Sequence, residues 1–388
     1  TDADRPTYVE LPPEHPEHGK KVGLLLQHMY GTLSAADGWQ QEYSCSLVEL
    51  GFKQGMSSPC VSRHRSRQVV CAVHGDDFTF VGPRDELEEI EEEMKKKYQL
   101  TRGALMGPGP EDDKEGMVLN RVVRWCDDRI EYEADPRQAE KLVYELGLEG
   151  AKSVVTPGVK VNMAQIEVDK PLKEEKNSLF RATSARANYL SADRIDVVYA
   201  AKEICRFMSA PTELSVAALK RFGRYLEGHK RLIYEHPKQE VTHAEVYSDT
   251  DWAGCPRTRK STSGGCTMLG AHLTKSWSST QPNPALSSVE AEYYGVVKAA
   301  GIGLGYQALM LDLGIELPLR LWTDSSAAIG VTSRQGVGKI RHLDTRTLWV
   351  QQAVRTGRIE VRKVKGTENP ADLFTKHLPS EDKLKQLV

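Results

Sequence analysis

From residue 245 onward the chain reads as three short strands, EVYSDTD (245–251), GGCTML (264–269) and LTKSWSS (273–279), and then a long helix near 287–313. A fourth strand, LRLWTDS (319–325), helices near 325–333 and 342–356, a strand IEVRKVKG (359–366) and a last helix from 370 complete the pattern. This order, β-β-β-α-β-α-α-β-α, is the strongest constraint in the sequence, because interleaved strands and helices of this kind build one central sheet with helices packed on it. In such a sheet strand ends and helix starts meet at one edge.

Four carboxylates fall on that edge. Asp249 ends the first strand, Glu292 lies one turn into the long helix, Asp324 ends the fourth strand, and Asp372 opens the last helix. Singly, each has a plainer reading: Asp249 terminates a strand, Asp372 caps a helix dipole. As a set they would repel strongly unless cations neutralise them, and hard oxygen ligands suit Mg²⁺ or Mn²⁺. Two such ions about 4 Å apart can hold an attacking water and a leaving alkoxide in line on a phosphodiester. The pattern therefore predicts a metal-dependent nuclease.

Composition narrows the setting. The 388 residues carry 52 basic and 54 acidic side chains, a formal charge of −2, which excludes a uniformly basic nucleic-acid coat and leaves polyanion binding to local groups. Seven cysteines (45, 60, 71, 126, 205, 255, 266) form no Cys-x-x-Cys pair and no zinc spacing, which fits reduced thiols in the cytosol or nucleus. No run of 18 apolar residues and no signal-peptide pattern occurs, so neither a membrane partner nor secretion is expected. The start at Thr1, without Met, reads as a piece of a longer polypeptide.

Upstream, residues 21–52 read as a strand, a Gly-Thr break at 31–32, and a helix with Trp39, Tyr43, Leu47 and Leu50 on one face. VVCAVHGDDFTFVGP (69–83) reads as an apolar hairpin with Asp76 and Asp77 at its tip, and DELEEIEEEMKKKYQL (85–100) as a solvated amphipathic helix. A lone Asp-Asp is common in solvated turns, but the apolar runs on either side favour a site. After paired strands near 117–135 and a helix at 136–148, residues 151–178 are irregular and charged, a linker. Two helices follow, roughly 180–209 and 213–228. The second carries Lys220, Arg221 and Arg224, with Lys230 and Arg231 just beyond it, the densest basic patch in the chain; LIYEHPKQEVTHA (232–244) reads as a Pro-containing polar connector.

The motifs YSDTDWAGCPRTRKSTSGGCTMLG, SWSSTQPNPALSSVEAEYYG, LWTDSSAAIG, KIRHLDTR and NPADLFTKHL resemble the ribonuclease H domain of copia-type LTR retrotransposon polyproteins, nearly continuously from 245 to 380. The resemblance implies a mixed five-stranded sheet with flanking helices, in which Asp249, Glu292, Asp324 and Asp372 bind two Mg²⁺ or Mn²⁺ ions and cut the RNA strand of an RNA–DNA hybrid. Asp251 and Glu290 are the alternatives at the first two positions. Asp251 shares a strand face with Asp249, whereas Glu290 lies off the face of Glu292. VKGTENPAD is short and holds no His before the last Asp, so His342 in KIRHLDTR is the one candidate for a catalytic His; its plainer reading is a surface or packing residue at a helix start. Lys339 and Arg341 beside it are placed to meet phosphate.

The remaining segments, among them HMYGTLSAADGWQQEYSCSLVELGFKQGMSSPC, HGDDFTFVG and FMSAPTELSVAALKRFGRYLEGHKR, resemble the palm and thumb of the family's reverse transcriptase. That implies a partial palm at 1–150, a linker and thumb-like helical region at 151–240, and a ribonuclease H-like domain at 241–388: an α/β and α+β multidomain chain. Asp76 and Asp77 are then metal-binding acids of a polymerase acting on an RNA template, a DNA primer and, if its site is completed, a dNTP. Lys220, Arg221 and Arg224 would track hybrid phosphates. The chain departs from the pattern at His74-Gly75-Asp76-Asp77, where Tyr-x-Asp-Asp is usual, and at Gly31-Thr32-Leu33-Ser34-Ala35-Ala36, which lacks a Lys and a Gln. The family's third carboxylate falls shortly upstream of the Tyr8 to Pro13 match, and Asp2 and Asp4 lie too close to supply it. The rival readings are a decayed or co-opted element that binds nucleic acid without catalysis, and an integrase-like transposase, which the missing zinc module disfavours. The implied setting is a cytoplasmic virus-like particle or the nucleus.

Overall fold

The computed structural model describes residues 2–32 and 34–387, which divide into two compact units. One comprises residues up to 101 together with 308–316, and the other residues 102–307 together with 317 onward. Leu33, within the altered Gly31–Ala36 segment, lies outside the described residues.

In the first unit β1 (Asp2–Glu10) and β2 (Val22–Gln27) form an antiparallel pair. Helix α1 (Ala35–Glu49) leads into a four-stranded antiparallel sheet of β3 (Lys53–Gln54), β4 (Val61–His64), β5 (Val69–His74) and β6 (Asp77–Val81), and α2 (Arg84–Lys95) closes the unit. Val69, Cys71 and Val73 alternate inward along β5 and meet Tyr43 and Leu47 of α1 and Ile90 and Met94 of α2. The helix at 84–95 is thus amphipathic, as its spacing predicts, with its charged blocks outward.

The second unit begins with β7 (Glu115–Val118), β8 (Arg121–Trp125) and β9 (Arg129–Glu133). Helices α3 (Pro136–Glu145), α4 (Met163–Glu167), α5 (Asn177–Ser191), α6 (Val198–Cys205) and α7 (Glu213–Gly228) follow, and Leu142, Phe180, Leu190, Ile204, Leu219 and Phe222 form the common core of α3, α5, α6 and α7. Two expectations change here. The helix expected over 180–209 is broken between α5 and α6, because Arg194 turns inward to a buried pair with Asp196 at 2.6 Å, which Tyr225 Oη also contacts at 2.9 Å. The connector expected over 232–244 contains β10 (Ile233–Pro237), an edge strand paired with β9 and carrying its proline at the end, where no ladder donor is lost. Its alternation went unseen because the inward residues, Tyr234 and His236, are polar-tipped aromatics.

Next come β11 (Ala244–Asp251), β12 (Thr262–Leu269), β13 (His272–Thr280), α8 (Ser288–Asp312), β14 (Leu319–Thr323), α9 (Ser326–Thr332), α10 (Trp349–Arg355), β15 (Ile359–Lys363) and α11 (Glu381–Leu387). The sheet order is β13-β12-β11-β14-β15, antiparallel among the first three and parallel from β11 through β15. This is the mixed five-stranded sheet with flanking helices that the resemblance implies. Helix α8 carries a stripe of Glu292, Gly295, Ala299 and Gly303 at helical spacing, and its glycines allow close approach to β11. A Cβ on Gly295 would lie 2.2 Å from Thr250 Oγ1, and one on Gly303 2.8 Å from Val246. Among the described residues no helix is long and apolar enough to cross a membrane.

After β15 the helix expected from 370 begins as a tight 3-10 turn at Pro370–Phe374, and α11 follows from Glu381. Asn369 caps the turn, accepting from Ala371 N while donating to Ser248 O on β11. The turn lies on Gly264 of β12, where a Cβ would stand 2.7 Å from Phe374 and Thr375. Gly264→Ala should therefore destabilise the protein by about 1–3 kcal/mol through overpacking, read as a lower urea midpoint with an unchanged slope.

Candidate metal centre

Strand register places the first two acids. Ser248 of β11 pairs with Thr323 of the parallel β14, so the next residue on each, Asp249 and Asp324, emerge side by side at the same end of the sheet. Asp324 is followed at once by Ser325, whose hydroxyl caps α9, and is met from the other side by Gly366, where a Cβ would lie 3.0 Å from its carboxylate. Helix α8 brings in Glu292. One ligand oxygen from each of Asp249, Glu292 and Asp324 lies within 4.8 Å of the others.

Electrostatics fit a cation among them. Burial, with Asp249 and Asp324 alongside, pushes the Glu292 carboxyl up to about 9. Burial and Asp249 also raise Asp324 above the usual carboxylate range. Glu292 Oε2 is a buried atom with no hydrogen-bond partner, an arrangement that costs free energy unless something fills the position. Three convergent carboxylates with an orphaned oxygen are a hard-donor set for Mg²⁺ or Mn²⁺.

Asp372 enters differently. It sits in the capped turn after β15, 9% exposed, with its Oδ1 2.8 Å from Lys376 Nζ. Burial pushes it up to about 6 against the opposing pull of that ammonium. Lys376 Nζ also stands 3.9 Å from Asp249 Oδ2, an oxygen that accepts the hydroxyl of the fully buried Thr375. Thr375 and Lys376 escaped the sequence reading. Asn-Pro before Asp372 signals a cap, but nothing in the local pattern shows that the two residues beyond it turn toward β11.

The alternatives are occupied elsewhere. Asp251 accepts from Thr262 N and packs against Gly254. Glu290 accepts from Leu286 N at 2.6 Å and pairs with His342 Nε2 at 3.3 Å, so His342 is set against the helix start and not against the triad. Lys339 and Arg341 are exposed beside it.

The basic patch on α7 is partly committed to structure. Arg221 donates to Thr156 Oγ1 at 2.9 Å and Arg224 to Lys152 O at 2.7 Å, holding the linker on the helix, and Arg231 pairs with the buried Glu133. Lys220 alone of the three candidate residues is exposed.

In the first unit Asp76 and Asp77 are both exposed, at a two-residue hairpin turn whose Gly75 takes φ +59°. Both Asp76 oxygens lie 2.5 Å from the Tyr30 hydroxyl, and Trp39 Nε1 donates to Gly75 O at 2.7 Å. Among the described residues no third acid or His joins the pair in a metal-sized group. Tyr30 went unremarked in the sequence, where it precedes the Gly-Thr break 46 residues before its partner.

No family model matches the chain. It is 24% identical over 391 residues to the retrovirus-related Pol polyprotein from transposon TNT 1-94 of Nicotiana tabacum, and 26% identical over 388 residues to that from transposon RE1 of Arabidopsis thaliana. Each match covers 97% of this chain but only 29% and 24% of the relative, so the chain spans about a quarter of the length of these proteins. A foamy viral protease-reverse transcriptase solved with an RNA/DNA hybrid aligns with 89% of this chain and 40% of its own, at 11% identity and TM-score 0.49. Sequence likeness to retrotransposon Pol polyproteins thus runs along nearly the whole length of the chain, in keeping with the reverse transcriptase and ribonuclease H motifs that it resembles.

Proposed function

We propose that the second unit hydrolyses the RNA strand of RNA–DNA hybrids with Mg²⁺ or Mn²⁺ at Asp249, Glu292, Asp324 and Asp372. The observation that carries this reading is the convergence of three carboxylates around an orphaned Glu292 oxygen at the shared end of β11 and β14. Divalent ions held there supply an activated water and charge stabilisation on the phosphodiester. The chain's own part is to hold the acids: Thr375 orients Asp249, the Asn369 cap fixes the turn that presents Asp372, and α8 delivers Glu292. Lys339 and Arg341 lie outside the acid set and suit phosphate contact, as does Lys220 on α7. The free cysteines fit a reducing compartment, a cytoplasmic particle or the nucleus.

For the hairpin of Asp76 and Asp77 a second reading, a polymerase site without catalysis, is favoured by the Tyr30 hydroxyl that occupies both Asp76 oxygens. DNA synthesis from an RNA template and DNA primer would require Tyr30 to withdraw and a further carboxylate to join the pair.

Two outcomes are expected. A labelled hybrid should be cut in Mg²⁺ or Mn²⁺ but not in EDTA, and Asp324→Asn should lower the rate by about a hundredfold or more; equal cutting by both proteins without metal would rule the assignment out. The second concerns pH. Glu292 keeps its proton in the folded chain up to about 9, whereas the unfolded chain releases it at the ordinary carboxylate value. The metal-free protein therefore binds more protons folded than unfolded across that window and loses stability as pH rises through it. A bound cation displaces the proton, so the gain in Tm from Mg²⁺ should be larger near pH 9 than near pH 6, and Glu292→Gln should flatten this dependence.

A further inference from the structure

The four acids are not equivalent in this structure. Asp249, Glu292 and Asp324 form one group of converging oxygens, whereas Asp372 is turned onto Lys376. The spacing of four residues across the turn brings Lys376 back over Asp372, and its ammonium lies 2.8 Å from Asp372 and 3.9 Å from Asp249. A cation of the protein thus bridges the two acids on one side of the site, and Asp249 is shared between that bridge and the triad.

The tether allows release. The Lys376 side chain is half exposed, so its end can turn to solvent. Asp249 and Asp372 are held from behind by the Thr375 hydroxyl and the Asn369-capped turn, and would stay in place if the ammonium left. Formal charge points the same way. One divalent ion plus the ammonium leaves four carboxylates in slight excess, and two divalent ions plus the ammonium exceed them, so a second ion and Lys376 compete for the same acids.

Resting on the metal-site reading above, we propose that Lys376 is a resident counter-ion that orders metal entry. The first divalent ion enters at Asp249, Glu292 and Asp324, and a second reaches the Asp249–Asp372 side only by displacing the ammonium. Lys376 is in this sense a positioning residue, acting through the acids.

The test is Mn²⁺ titration of the full chain, with free ion read by electron paramagnetic resonance. The native chain should bind one ion tightly and a second at least about tenfold more weakly, as expected for entry against a like charge a few ångströms away. Lys376→Met and Lys376→Gln should tighten the second site by about tenfold while leaving the first within about twofold, and Lys376→Arg should restore the native pattern. Two affinities unchanged in both neutral variants, or two equally tight ions in the native chain, would overturn the counter-ion. Asp324→Asn separates the two claims. If it abolishes the tight ion while the Lys376 variants change nothing, the metal site stands and the counter-ion falls; if the native chain binds no Mn²⁺, both fall.

Discussion

Like-charge repulsion at one end of a five-stranded sheet is the constraint around which the second unit is arranged. Four carboxylates brought to one edge of buried backbone repel one another and lose hydration, which favours the neutral forms of Glu292 and Asp372, and the fold answers with two contacts visible in the structure: a hydroxyl from Thr375 and an ammonium from Lys376. Neither of these neutralises the triad fully, since Glu292 Oε2 stays buried and unpartnered. The framework that holds the acids in spite of this is covalently remote. It consists of parallel register between β11 and β14, a glycine-lined helix, and an asparagine-capped turn.

How much of this was legible in the sequence follows from how local each cause is. Strand-end and helix-start positions are local, so Asp249, Asp324 and Glu292 can be read from periodicity, and the choice of Glu292 over Glu290 from helical phase. The structure gives Glu290 a separate partner in His342. Thr375 and Lys376 act through a turn packed on Gly264, an approach between segments more than a hundred residues apart, and no period records it. The arginines of α7 mislead for a related reason. A run of basic side chains reads as an open surface, yet Arg221 and Arg224 spend their donors on the linker that folds back over them.

The first unit shows the complementary case. Its core is ordinary, with β5 alternating inward against two helices, and the hairpin tip is where turn chemistry predicts it. What sequence could not show is that Tyr30 and Trp39 reach that tip, the one at Asp76 and the other at Gly75 O. The pair of acids is therefore exposed, with one aromatic hydroxyl on Asp76, in contrast to the carboxylates of the second unit, which lie among strands and capped turns.

The glycines of α8 carry a consequence for how such an element can change over time. Each residue added to or removed from a helix turns everything beyond it by about 100°. An insertion or deletion between Glu292 and Gly303 would thus rotate the small-residue stripe away from β11 and present side chains where only hydrogen fits. The helix carrying the glutamate has no slack in length, although its outward face can drift freely in composition. A change of length there would break the contact with β11 as surely as a substitution at Gly295 or Gly303, without altering a single residue of the stripe.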